Sequence, residues 1–331
     1  DLLRTQTWTS FKEPLVLKYE KDSTSALLTG FSYYWDDNRR ITVRERMHDE
    51  ATYAWGEVYR YDEMDRLTRV YRNVKTPSSY QSSNPSTSDY DDHINYDLGK
   101  VYERDEVEVI EDGIAISTLA YTNNDLYQYT TANGVTHTWD DNGQLTDNVD
   151  WAFEWTGLGQ LAEADPDTGT TLTYTYDAFK RRVQTDAGSD ESEFVYLGWH
   201  MIGEYDDVAD EWLWQEIPMN AGEGMLEHVA LDSTDYDAYA VQEDWQHTVV
   251  ALSDDSGAIF ERYRYRDPFG DSYTEDSTPS NIGDFASGAH HLKRLHGGAV
   301  DAATGLCDFR NRWYAPASGI LLSRDPRYPD D

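Results

Sequence analysis

A short phrase recurs along this chain, and a polypeptide built on it has few folds open to it. Trp35-Asp36 is followed by Arg40-Ile41, Tyr61-Asp62 by Arg66-Leu67, Trp139-Asp140 by Gln144-Leu145, and Tyr176-Asp177 by Arg181-Arg182, always at the same offset. Trp155-Thr156 to Gln160-Leu161 is a degraded copy that has lost its Asp. An aromatic–Asp pair, a polar turn, a long polar residue and usually an aliphatic one form a unit too small to bury its own apolar face. Such units are stable when stacked on their neighbours, as an extended sheet or a solenoid. The pattern predicts a wall rather than a pocket.

With 331 residues the chain suffices for two ordinary domains or one long repeat array. It carries 63 acidic and 27 basic residues, a net charge of −36, and an isoelectric point near 4.3. Asp supplies 41 of the acids, and Lys only 7 of the bases. Such a balance repels phosphates, which argues against nucleic-acid partners and anionic membranes. Its plainest meaning is a solvated acidic outer face, with adaptation to high salt or a Ca²⁺-rich surface as sharper alternatives. Disorder is disfavoured, because 11 Trp, 25 Tyr and 9 Phe give ample material for a core.

The lone Cys307 excludes an internal disulfide framework, and its setting in Gly305-Leu306-Cys307-Asp308-Phe309 suits a small buried hydrophobe better than a nucleophile. No apolar run approaches the roughly 18 residues that a membrane-spanning helix needs. Asp1 already lies in strand-like sequence, so the chain is expected to be a processed product or a piece of something longer.

Strand signals dominate. Val107 to Ile110, Asp112-Gly113 and Ile114 to Ile116 read as a β-hairpin, since Asp-Gly supplies the positive φ angles of a tight turn. Leu172 to Tyr176 and Phe260 to Tyr265 alternate in the same way, and Asn142-Gly143, Thr168-Gly169 and Ser256-Gly257 add turn signals. Short helical turns are expected near Asp284–Leu292 and hardly elsewhere. The texture predicts a region of aromatic–Asp units over 1–193 with a Ser/Pro-rich loop insertion at 76–92, wider-spaced hairpins over 194–264, and a distinct section over 265–331.

That last section carries a resemblance. Tyr265-Arg266-Asp267-Pro268-Phe269-Gly270 is similar to the Tyr-Asp-Pro-Phe-Gly element of the RHS-repeat-associated core domain. His296-Gly297, then Asp301 to Leu306 with Gly305, then Arg310-Asn311-Arg312-Trp313-Tyr314 resemble its next blocks. Pro316, Gly319 and Leu322-Ser323-Arg324-Asp325-Pro326 resemble its final one. Ala315, Ile320 and Cys307 stand where the family usually has Asp, Arg and an aromatic residue. Upstream, the aromatic–Asp units resemble the YD repeats of RHS proteins, teneurins and toxin-complex C proteins. The resemblance implies an all-β fold in which a spiralling antiparallel hairpin strip, a YD-repeat shell or barrel-like array, is closed by an RHS core cap. It also implies a shell that often encloses a toxic C-terminal domain, released in some members by aspartyl self-cleavage. The repeat residues are then wall-builders, with Asp and Arg or Gln satisfying the turn backbone.

Asp325 is the one candidate for catalysis. The family's self-cleaving pair comes from two Asp-Pro-x-Gly elements, whose close carboxylates share a proton and act as acid and base. Asp325-Pro326-Arg327-Tyr328 matches the first, with Tyr in place of Gly, and the second, which would lie past Asp331, is absent from these residues. With one carboxylate of two, these residues are not expected to cleave themselves. His290, His291 and His296 lack companions at zinc-ligand spacing, so no metal site is assigned. Asp165-Pro166-Asp167-Thr168-Gly169 and Asp254-Asp255-Ser256-Gly257 begin like calcium loops but lack the full ligand set and closing Glu, and read as hairpin turns. No cofactor is expected beyond weak surface Ca²⁺.

Area bears on enclosure. About 31 strands, each roughly 18 Å by 4.8 Å, make a wall on the order of 2,700 Å². Closed on itself it leaves a few thousand Å³, room for roughly 30 residues against the ~100 of a toxin domain. The expected role is therefore a non-enzymatic shell segment and cap of a secreted or cell-surface RHS polypeptide. Its partners would be the rest of that polypeptide and an enclosed effector, with self-association also open and neither nucleic acid nor membrane insertion expected. The alternative is an extracellular structural or adhesive module whose acidic surface meets glycans or Ca²⁺. An aspartyl self-protease remnant ranks third.

Overall fold

The computed structural model describes residues 2–48, 54–219, 225–231, 236–276, 281–284 and 292–325. The chain is all-β and antiparallel, and it divides into two compact units, Asp1–Val135 and Thr136–Asp331. That division falls inside the 1–193 stretch that sequence texture presents as continuous.

The first unit is a single eleven-stranded meander running from Leu2–Trp8 to Val135–Thr136, each strand hydrogen-bonded to the next in sequence. Period-two alternation explains which face is covered. In Pro14–Lys21, Leu17 and Tyr19 are buried with Lys18 half-buried between them, and in Ala26–Trp35 Phe31 and Tyr33 are buried with Ser32 half-buried between them. The insertion at 76–92 is a loop carrying one 3-10 turn, Pro77–Tyr80. It folds back on the sheet, where Tyr80 and Tyr90 cover a cluster of Val43, Val58, Tyr71 and Val74. Tyr80 Oη donates to Asp89 Oδ2 at 2.7 Å, which ties the two ends of the insertion together.

The second unit is a fifteen-stranded meander from Thr138–Trp139 to Asn281–Asp284, followed by a separate four-stranded sheet. The strands over 194–264 belong to the same meander, without a break in strand order. The Asp112-Gly113 hairpin pairs Arg104–Glu111 with Ile114–Asn123. The helical turns expected near Asp284–Leu292 lie outside the described residues except at their ends. Among the described residues, the second 3-10 turn is Leu295–Gly297.

The small sheet joins Ala299–Val300, Cys307–Asp308, Trp313–Ala315 and Ile320–Leu321. It lies on the long one. Leu306, Trp313 and Leu322 complete a core with Leu145, Phe153, Leu161 and Tyr174. The backbones also meet, with Leu145 N–H donating to Leu322 O at 2.8 Å and Val249 N–H to Arg294 O at 3.2 Å. Gly270, in the turn between Ile259–Tyr265 and Ser272–Asp276 of the long sheet, shows why one position facing the small-sheet segment takes glycine. Its φ is +101°, and a Cβ there would sit 2.7 Å from the Leu295 side chain.

Cys307 is fully buried beside Leu295, Val300 and Tyr314, and burial pushes its thiol up to about 12. The thiolate is the reactive species. Ellman's reagent is therefore expected to label none of the native protein within minutes at pH 8 and one thiol per chain in denaturant. Rapid labelling of the native protein would contradict this packing.

Candidate functional site

The recurring phrase folds into one local structure. In the first copy Asp36 N–H donates to Arg40 O and Arg39 N–H to Asp36 O, both at 3.0 Å, while Arg39 takes a left-handed φ of +65°. This is a three-residue hairpin loop ending in a bulge. Asp36 Oδ1 accepts the N–H groups of Asn38 and Arg40, at 3.0 and 2.9 Å, and Oδ2 accepts Arg40 Nε at 2.7 Å. Asp62 with Arg66 and Asp177 with Arg181 repeat these contacts. At Asp140 the amide of Gln144 replaces the guanidinium, Nε2 to Oδ2 at 2.7 Å.

The aromatic half of the phrase joins one hairpin to the preceding one. Trp35 Nε1 donates to Pro14 O at 2.8 Å, Tyr61 Oη to Ile41 O at 2.9 Å, and Trp155 Nε1 to Leu145 O at 2.7 Å. Each acceptor lies five residues after the start of the previous loop. Tyr176 departs from this, its hydroxyl accepting Trp313 Nε1 of the cap at 3.2 Å. Arg40 also reaches forward, to Asp62 O at 3.2 Å and Asp65 Oδ1 at 2.7 Å, with its guanidinium 4.9 Å from the Tyr61 ring centre.

The same loop occurs where the sequence phrase is incomplete. Thr9–Glu13, Gly99–Glu103, Asn124–Gln128, Asp244–Thr248 and Asp254–Ala258 all close with an N–H of the first residue on the carbonyl of the fifth. Thr156 closes its loop as well, Oγ1 accepting the N–H groups of Leu158 and Gln160 at 3.3 and 3.2 Å. The signal not legible as a phrase is an oxygen-bearing side chain five residues before a strand, with or without an aromatic residue ahead of it; in the Gly99 loop, which has no such side chain, Glu103 accepts the N–H groups of Lys100 and Val101 instead.

In the turn that joins Ile259–Tyr265 to Ser272–Asp276 of the long sheet, Asp267 Oδ1 accepts the N–H groups of Phe269 and Asp271. Gly297, Gly305 and Gly319 hold left-handed φ angles of 70°, 68° and 69°, and Gly319 N–H donates to Ala315 O and Pro316 O. Trp313 is buried with its ring centre 5.1 Å from that of Tyr174, and Tyr314 Oη donates to Phe269 O at 2.7 Å. Arg310 is exposed at φ +70°. Arg312 Nη2 lies 3.9 Å from Asp325 Oδ2, and the Asp325 side chain is 42% exposed. Pro326, His290 and His291 lie outside the described residues. His296 Nδ1 sits 3.2 Å from Gln246 O, and no cluster of three or more metal-ligating side chains occurs among the described residues.

Two ionic contacts between cap and sheet were not legible in the sequence. Arg182 Nη1 lies 3.3 Å from Asp301 Oδ2 and its Nε 3.6 Å from Asp308 Oδ2, with all three side chains at most 8% exposed. The Arg182 guanidinium is stacked near Phe194 and Trp313, 4.4 and 5.1 Å from their ring centres. Burial pushes the Asp308 carboxyl above the usual range, against the pull of Arg182. Lys293 Nζ pairs with buried Glu216, whose carboxyl burial likewise raises.

With this geometry in hand, the chain can be set beside known proteins. Superposed on the crystal structure of TcdB2-TccC3-TEV it has a TM-score of 0.73 at 14% identity, over 99% of this chain and 17% of that one. The Photorhabdus luminescens Tc holotoxin pore gives 0.73 at 14%, over 98% and 17%. The chain has the RHS-shell fold. In sequence it is 25% identical over 239 residues to the tRNA3(Ser)-specific nuclease WapA of Bacillus spizizenii, and 24% identical to the tRNA nuclease WapA of Bacillus subtilis. Both alignments cover 70% of this chain and 10% of the relative, so the chain spans about a tenth of the curated relatives it matches. No protein-family model matches it. No described helix is long and apolar enough to cross a membrane.

Two outcomes test this geometry. Hydrogen bonds outweigh burial at Asp36, leaving its carboxyl below its ordinary 3.8. A lowered value stabilises the fold above the unfolded-state pKa, and that stabilisation is lost as pH falls through the folded one. Asp36→Ala is expected to cost about 1–2 kcal/mol in urea unfolding at pH 7, with Asp36→Asn costing less. The difference between wild type and Asp36→Ala should shrink once pH drops below 4, and a pH-independent difference would rule out the charged hydrogen bonds. Arg182→Met leaves two buried carboxylates unpaired and should cost about 3–5 kcal/mol. Adding Asp301→Asn and Asp308→Asn to that variant should recover much of the loss, and failure to recover would assign the cost to packing instead.

Proposed function

We propose that residues 1–331 are a non-catalytic shell segment and cap of a longer secreted or cell-surface RHS polypeptide that encloses or presents a C-terminal effector. The likeness to the toxin-complex structures carries this reading, because nearly all of this chain corresponds to less than a fifth of each matched chain. The WapA likeness is of the same partial kind. The repeat side chains support it chemically. Their carboxylates and guanidinium groups are engaged with turn backbone and with one another, an arrangement that builds wall. The cap supports it too, since its apolar side chains complete the core of the long sheet rather than line a substrate cleft. Asp325 faces Arg312 near the surface, a setting that favours a charged turn residue over a proton-sharing acid.

Intact mass and terminal peptide mapping on the protein as its native producer makes it would decide the matter. Sequence extending past Asp331 into a further folded domain is expected. A native product ending at Asp1 and Asp331 would remove the encapsulating role, because a wall of this area holds only about 30 residues. The acidic surface module would then be the reading left standing.

A further inference from the structure

One cavity in the second unit does not share the chain's acidic character. It holds about 290 Å³ and opens where the hairpin of Glu191–Leu197 and His200–Asp206 meets the cap segments around 293–299 and 308–310. Arg181, Arg182, Lys293, Arg310, His200 and His296 all line it, and Asp308 is its one acidic lining residue. These side chains come from four separated stretches of sequence, so no local repeat explains their convergence.

Several of the cations are already engaged. Arg181 pairs with Asp177, Lys293 with Glu216, and Arg182 with Asp301 and Asp308. Arg310 is different, being exposed and having no ion pair among the described residues. Arg182, 2% exposed, adds a guanidinium whose Nη2 has no hydrogen-bond partner. His200 is pushed below its ordinary value by burial and then by the charges of Lys293 and Arg310. The wider surface charge does not cancel this, since at about 0.1 M salt charges beyond ~10 Å are screened.

We propose that this cavity binds a compact tetrahedral oxyanion, as inorganic phosphate or as the phosphate of a monoester. A planar carboxylate satisfies one fork of donors. Donors approaching from the strand at 182, the hairpin at 200 and the cap loops at 296 and 310 suit an anion with oxygens on every side. Trp199 and Phe309 also line the cavity and offer ring surface to an apolar group carried by the phosphate. This goes beyond the shell reading and does not depend on it.

Titration of the 331-residue chain at fixed ionic strength tests the assignment, by calorimetry and Trp fluorescence, with inorganic phosphate, phenyl phosphate and acetate as probes. Saturable one-to-one binding of phosphate is expected, with acetate showing none. Tighter binding of phenyl phosphate would identify the monoester as the better ligand, and equal binding would identify the inorganic ion. Arg310→Asn removes the unpaired charge with a residue that tolerates left-handed φ, and it should weaken phosphate about tenfold. His200→Asn is an independent second variant with the same expected direction, and both should melt like wild type without ligand. The proposal is overturned by a lack of saturation, by acetate matching phosphate, or by both variants binding as wild type does.

Discussion

The carboxylate that closes each hairpin loop is the contact on which the wall depends. One oxygen accepts turn N–H groups, two of them at Asp36, Asp62 and Asp177, and the other holds the guanidinium or, at Asp140, the amide four residues on. That fixes the loop at three residues plus a bulge and so fixes the register of the two strands it joins. Register matters because a slip of one residue would turn every buried aromatic to the opposite face. Only with loops of constant length does the aromatic residue ahead of one Asp arrive at a backbone carbonyl of the previous hairpin. The turn therefore works at two ranges. It closes its own hairpin, and it sets the spacing at which hairpins couple.

The cap is held by different physics. Apolar contact through Leu306, Trp313 and Leu322 supplies the attraction, but such contact is tolerant of small displacements. Arg182 with Asp301 and Asp308, and Lys293 with Glu216, are not tolerant. A displaced cap would strand buried charges among aromatic rings, at a cost of several kcal/mol per ion. Ionic pairs of this kind discriminate between dockings more than they add to stability, because their attraction is offset by desolvation.

What was legible in the sequence follows this difference in range. The contact between Asp36 and Arg40 spans four residues and repeats, so it shows as a phrase. The alternation of Leu172 to Tyr176 shows for the same reason. Thr9, Asn124 and Asp244 build the same loop from a partial set of residues, so these loops carry no complete phrase in the sequence. Arg182 and Asp301 are 119 residues apart, and Lys293 and Glu216 are 77 apart. Nothing in local composition announces such partners. The division at Val135 and Thr136 was equally silent, since strand-forming sequence runs straight across it and the next YD phrase starts at Trp139.

The charge of −36 gains meaning from where the cations go. Arg40, Arg66 and Arg181 are each held by the Asp four residues earlier, and Arg182 and Lys293 are drawn into the cap junction. With these cations already neutralised by carboxylates, the excess charge belongs to acids that the wall presents to solvent. A surface of that kind repels polyanions at long range, yet its influence fades within about 10 Å at ordinary salt. A recess lined by Arg310, which has no ion pair among the described residues, and by His200 can therefore hold the opposite sign locally. Other basic groups close turns, as Arg40 does, or bridge strands, as Arg44 does to Glu57 and Arg72 to Asp92, whereas this set of donors lies around open space, where a small anion would meet it.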